Sequence, residues 1–176
     1  MDRDNQTVGR RVLVAGIGNI FFGDDGFGVE VARRLASMPV PAGVRVADFG
    51  TRGLHLACEM LDGGYEEVIF VDAMPHGAAP GTVVLMEPDA GAARAAAADE
   101  HAMTPDAVLQ LLHAIGGRTP RVLIVGCEPR NLEPGIGLSS DIAAAVDRAA
   151  RTVLDLVTDN VHARVSDNPR TTRLLA

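Results

Sequence analysis

The segment Glu67-Val-Ile-Phe-Val-Asp72 is apolar on both alternating faces and stops abruptly at a carboxylate. A strand with no polar face must be covered on both sides, which is the habit of parallel sheets sandwiched between helices. Two further runs share this character: Val12-Leu-Val-Ala-Gly-Ile17 and Arg121-Val-Leu-Ile-Val125, the latter read as the last strand. Val44-Arg-Val-Ala-Asp48 and Thr82-Val-Val-Leu-Met86 complete the predicted strands.

Helical patterns fall between these runs. From Gly26, Val31 and Leu35 are spaced by four, with Glu30, Arg33 and Arg34 mostly on the other face, as in an amphipathic helix. Leu54-His-Leu-Ala-Cys-Glu-Met-Leu61 predicts a second helix stopped by Gly63-Gly64, with Cys58 in its core. Thr104-Pro105 is a cap followed by a first-turn proline, ahead of Ala107 to His113. Ser139-Ser140-Asp141 caps a last helix reaching about Val157, and the tail over 158–176 is expected to fray. Alternating strands and helices predict one α/β domain over 1–157: three layers, with a twisted, mainly parallel sheet flanked by helices on both faces.

Composition removes several classes of function. At 176 residues, one domain with a proper core is expected. No apolar run approaches the roughly 18 residues of a membrane span, and the polar start Met1 to Gln6 is unlike a signal peptide. A net charge of −7 is the wrong sign for a nucleic-acid binder. All 16 basic residues are Arg, so Schiff-base, Ser–Lys and P-loop lysine chemistry are absent. Two cysteines make no disulfide framework, which points to a reducing cytoplasm.

Ligands of open α/β sheets bind beyond the carboxyl ends of the strands, where strand order reverses. There the first loop reads Gly16-Ile-Gly18-Asn-Ile-Phe-Phe-Gly23-Asp24-Asp25-Gly26. Phe21 stands where a dinucleotide fingerprint needs its third glycine, and two carboxylates would repel a phosphate at the helix start. The loop suits a cation instead, with Asp24 read as the helix cap. Asp25 is either a first-turn partner of the helix dipole or a ligand. Asp72, desolvated at its strand end, needs a partner: a cation, a backbone N–H or a metal. His101 lies in a polar setting before the Thr104 helix. Two carboxylates and an imidazole form a donor set for a borderline divalent ion such as Zn²⁺ or Ni²⁺.

Among nucleophiles, Ser139 and Ser140 read as caps and no Gly-x-Ser-x-Gly elbow exists. Cys127, in Val125-Gly-Cys-Glu-Pro129, follows a strand and could serve an amidohydrolase. Met74 and Met103 read as packing. A non-enzymatic metal- or nucleotide-binding module is the other alternative.

Taken together, several segments resemble the hydrogenase maturation protease family. They are Val14-Ala-Gly-Ile-Gly-Asn19 through Asp24-Asp25-Gly-Phe-Gly28, Asp48-Phe-Gly-Thr51, Glu67 to Ala73 with Pro80-Gly-Thr82, and Glu133-Pro-Gly-Ile-Gly-Leu-Ser139. In order and spacing they span about Arg11 to Val157. The resemblance implies a carboxylate-dependent endopeptidase, cytoplasmic and monomeric, with no organic cofactor. Its substrate would be the large-subunit precursor of a nickel–iron hydrogenase, which loses a C-terminal peptide. It further implies that the nickel is supplied by the substrate and used for recognition, with Asp25, Asp72 and His101 as metal ligands. Asp25 and Asp72 would be catalytic, with His76 the fallback histidine and a water as the attacking group. Gly50-Thr51 and Arg130-Asn131, at the same rim, are either substrate contacts or turn and cap residues.

Overall fold

The computed structural model describes residues 10–88, 103–158 and 173–175. Its strands are β1 (Val12–Ile17), β2 (Val44–Gly50), β3 (Glu67–Ala73), β4 (Val83–Met86), β5 (Arg121–Cys127) and β6 (Arg173–Leu175). The helices are α1 (Phe27–Ala36), α2 (Gly53–Gly63), α3 (Pro105–Ala114) and α4 (Ser140–Thr158), with a 3-10 turn at Gly23–Gly26.

The strands form one sheet in the order β2-β1-β3-β5-β4-β6. The first four are mutually parallel, while β4 runs antiparallel to both β5 and β6. The predicted mainly parallel, doubly covered sheet is therefore what the chain forms. Every residue of β1 and β3 is buried, as continuous apolar runs require.

Alternation along the strands sorts the core into two layers. Val12, Val14, Ile69, Val71, Leu123 and Val125 pack with α1 and α4. Leu13, Ile17, Val68, Phe70, Val122 and Ile124 pack with α2 and α3. On α1 the buried stripe is Phe27, Val31 and Leu35, one residue per turn. Thr104 caps α3 by accepting the Ala107 N–H at 3.3 Å, with Pro105 opening the helix. Met74 and Met103 pack against the α2–α3 layer, as expected.

Glycine brings α1 unusually close to the sheet. A Cβ on Gly28 would overlap the carbonyl oxygens of Val71 and Ile17, and one on Gly16 would overlap that of Gly28. The start of α1 therefore rests directly on the ends of β1 and β3.

Two expectations are corrected. β5 is not the last strand, because Arg173–Leu175 of the tail returns to pair with β4. A tail without apolar periodicity can still add an edge strand, since edge pairing uses backbone groups. Cys58 is exposed rather than in the core of α2. The buried stripe there is Gly53, Leu56, Ala57 and Met60, and Cys58 falls just outside it.

Candidate active site

β1 hands its chain to β2 on one side, while its other neighbour is β3, so strand order reverses between β1 and β3. Crevices of this kind are where open α/β sheets bind ligands. Asp25 lies in the turn that follows β1, and Asp72 is the penultimate residue of β3. The two carboxylates predicted as a pair thus flank the reversal point from its two sides, near enough that the charge of Asp25 acts on Asp72.

Local sequence explains how Asp25 is presented. Gly18 has φ of 123°, and a Cβ there would overlap the Asp25 carbonyl oxygen, so only glycine lets the turn fold back on the strand end. The Asp25 N–H donates to the Phe22 carbonyl at 3.2 Å. One carboxylate oxygen, Oδ2, accepts the Asn19 N–H at 2.7 Å.

Both groups hold protons more tightly than ordinary aspartates. Burial pushes the Asp25 carboxyl up against the opposing pull of Asn19. Burial, then the charge of Asp25, raise Asp72 well above the usual range, and only the Ala73 N–H favours its anion. Glu67 at the opposite end of β3 makes a useful contrast. It is just as buried, yet it pairs with Arg10 and, at 3.4 Å, with Arg121. Among the described residues, no Arg forms an ion pair with Asp25 or Asp72. Two desolvated carboxylates without a cation are a pair that a metal ion or a shared proton would relieve.

The third predicted ligand, His101, lies outside the described residues. Among those described, no three His, Cys, Asp or Glu side chains converge as a metal-binding group. The fallback histidine therefore does not join the two aspartates. His76 belongs to another arrangement, in which its Nδ1 sits 2.9 Å from the Met74 carbonyl and 3.2 Å from Glu128. Glu128 in turn accepts the N–H groups of His76 and Ala78 at 2.7 and 3.1 Å, and these hold its carboxyl below the usual range.

Asp24 does something the sequence reading did not assign. It makes no side-chain cap to the helix; the N-cap of α1 is Gly26. Fully buried, its carboxylate reaches across to the 130–139 loop. There it accepts the N–H groups of Arg130, Asn131 and Ser139 at 2.9, 2.8 and 2.6 Å, and the Ser139 hydroxyl at 3.0 Å. Burial raises its pKa, but these hydrogen bonds prevail and hold it below the usual range. Successive residues of a 3-10 turn point about 120° apart. Asp24 can therefore anchor the turn outward while Asp25 is presented to the crevice. The only sequence hint was two adjacent aspartates in a glycine-rich loop.

The nucleophile alternatives fail on geometry. Cys127 is fully buried in the α1–α4 layer, and burial, with the charge of Asp24 adding to it, pushes its thiol up to about 12. A thiol so protonated is inert at neutral pH. Ser139 donates its hydroxyl to Asp24. Arg130 and Asn131 act as loop scaffold: their amides serve Asp24, and the Arg130 guanidinium pairs with Asp141.

Fold and site together define a class: a doubly wound α/β protein whose rim carries two desolvated carboxylates and, among the described residues, no activated nucleophile. Comparison with known proteins identifies the family within that class. The family model for hydrogenase maturation proteases matches residues 29–156. The hydrogenase expression/formation protein HupD of Rhodobacter capsulatus is 36% identical over 143 residues, 79% of this chain and 67% of the relative. The crystal structure of a hydrogenase 2 maturation peptidase from a Thaumarchaeota archaeon superposes with a TM-score of 0.64 at 35% identity, covering 84% and 97% of the two chains. The hydrogenase maturating endopeptidase HybD of Escherichia coli gives 0.67 at 27% identity, covering 93% and 98%. The chain belongs to the hydrogenase maturation protease family and is a peptidase. The non-enzymatic alternative is thereby set aside.

Proposed function

We propose that this peptidase removes a C-terminal peptide from the large-subunit precursor of a nickel–iron hydrogenase, and that it recognises the precursor through nickel already inserted there. The enzyme works as a cytoplasmic monomer without an organic cofactor, and the nickel arrives as part of the substrate. The observation that carries this reading is the uncompensated pair Asp25 and Asp72 at the strand-order reversal, desolvated and mutually repelling.

A divalent ion entering between them would remove that repulsion, and hard carboxylate oxygens with one imidazole suit borderline ions. His101 is the third donor in this reading. Two residues beyond it, Met103 packs against Gly53 at the start of α2, which leaves the same rim of the sheet as the aspartates. Engagement of the substrate's metal would place the adjoining scissile carbonyl beside the two carboxylates. A carboxylate with a raised pKa is a stronger base than an ordinary aspartate, suited to take a proton from the attacking water and return it to the leaving amine.

The test is intact-mass spectrometry of the cognate precursor, with and without nickel, after incubation with the protein. Loss of one C-terminal peptide from the nickel-loaded form alone is expected. Cleavage of both forms would remove nickel recognition, and cleavage of neither would remove the assigned substrate.

A further inference from the structure

Four of the six large hydrophobic side chains exposed among the described residues lie on two loops beside Asp25. They are Phe21 and Phe22, at 60% and 41% exposed, and Leu132 and Ile136, at 41% and 83%. Large apolar groups exposed together on a soluble domain mark an interaction site. The two loops are locked to each other. Gly23 donates to the Gly135 carbonyl at 2.9 Å, Gly135 to that of Phe21 at 2.8 Å, and Asp24 to that of Asn131 at 3.0 Å. Beneath these backbone bonds lies the Asp24 carboxylate with its four donors. The patch is therefore held in place before anything binds, which lowers the ordering cost of binding.

Behind the patch opens a cleft of about 510 Å³. Ile20, Ile136, Leu138 and Val146 give it apolar walls, and Glu30 and Arg33 also line it. Gly23 and Gly26 of the Asp25 turn contribute its lining too, so the cleft and the candidate catalytic carboxylate share one turn.

We propose that these two loops form a docking lip for the precursor, with an apolar segment of the precursor close to the cut seated over Phe21, Phe22, Leu132 and Ile136 and into the cleft. The inference rests on the peptidase reading of Asp25. Position favours this occupant: Phe21 and Phe22 lead directly into the turn that carries Asp25, whose N–H donates to the Phe22 carbonyl at 3.2 Å, so a polypeptide being cut at Asp25 has the patch within reach. A second copy of this chain fits less well. Seated here, such a copy would cover the Phe21–Phe22 segment that leads into the Asp25 turn and so oppose the activity the surface serves.

The experiment compares Phe21→Ser, Ile136→Ser and the double variant with wild type on the nickel-loaded cognate precursor. Leu61→Ser, an exposed leucine at the far end of α2, serves as control. The expected result is KM raised at least fivefold by each lip substitution, kcat within twofold, and no change for the control. Photocrosslinking supplies a readout independent of cleavage: benzoylphenylalanine replacing Phe21 captures the precursor, and the same group replacing Leu61 does not. Unchanged KM in the double variant overturns the lip and leaves the peptidase standing. A precursor captured at position 21 yet never cut keeps the lip and overturns the assigned reaction. A wild-type dimer that Ile136→Ser converts to monomer in sedimentation would give the surface to a second copy and overturn the proposal.

Discussion

The carboxylate of Asp24 accepts the backbone N–H of Ser139 at 2.6 Å, joining positions 115 residues apart. Its immediate neighbour Asp25 instead accepts from Asn19, six residues away. Adjacent aspartates thus face different partners: one ties together two loops distant in sequence, and the other is held by a backbone N–H of its own loop.

Asp24→Asn is expected to destabilise the fold by about 2–4 kcal/mol, because an amide must turn its NH₂ toward buried donors. Urea denaturation measures this. The sign with pH follows from the lowered pKa of Asp24. Its contribution is present above the ordinary aspartate value of 3.8 and fades as pH falls through the lower folded value, so the gap between variant and wild type narrows in acid.

Asp72→Asn is expected to abolish precursor cleavage while raising the melting temperature at pH 7 by about 2–6 °C, since it removes a carboxyl whose ionisation, favoured in the unfolded chain, is opposed by burial in the fold. The folded protein binds the Asp72 proton more tightly than the unfolded chain, so ionisation costs stability as pH rises above 3.8 toward the folded pKa. The advantage of the variant should shrink as pH is lowered below the folded pKa and vanish toward 3.8. Thermal melts at several pH values check both statements, and a less stable variant at pH 7 would contradict them.

The two histidines are separable. His101→Ala is expected to lower kcat at least a hundredfold if it supplies the third donor, whereas His76→Ala leaves kcat within about threefold, since His76 is engaged with Met74 and Glu128. Initial rates on the nickel-loaded precursor distinguish them, and the reverse ranking would move the ligand to His76.

Iodoacetamide should label Cys58, which is exposed, and spare Cys127, whose thiol is pushed up to about 12. Activity should survive complete labelling at Cys58. Loss of activity that tracks modification of Cys127 would reinstate a thiol mechanism.

Gly28→Ala is expected to cost more than about 3 kcal/mol, because the added Cβ would overlap backbone atoms of Val71 and Ile17, which cannot move without shifting a central strand. Yield of folded protein and chemical denaturation report this directly.

Much of this architecture was legible in the residue order because its signals are local. Continuous apolar runs such as Val12–Ile17 and Glu67–Asp72 declare strands covered on both faces, and Thr104-Pro105 declares a helix start. Their carboxyl ends then locate Asp25 and Asp72. What could not be read depends on distant partners. A buried Asp24 looks like any helix cap until the 130–139 loop is seen against it. The pairing of Arg173–Leu175 with β4 uses backbone groups that leave little trace in side-chain pattern. Cys58 follows the buried Ala57 by a single helical step, and a sequence pattern does not fix a helix's rotation that finely.

The Asp24 anchor also sets an order of events during synthesis. Both aspartates of the first loop and Asp72 leave the ribosome well before Ser139, and until β5 and the following loop emerge the donors that hold the Asp24 turn do not yet exist. A nascent chain halted before that point would carry the rim carboxylates without the turn's anchor. The turn therefore closes only once the chain beyond β5 is available to it.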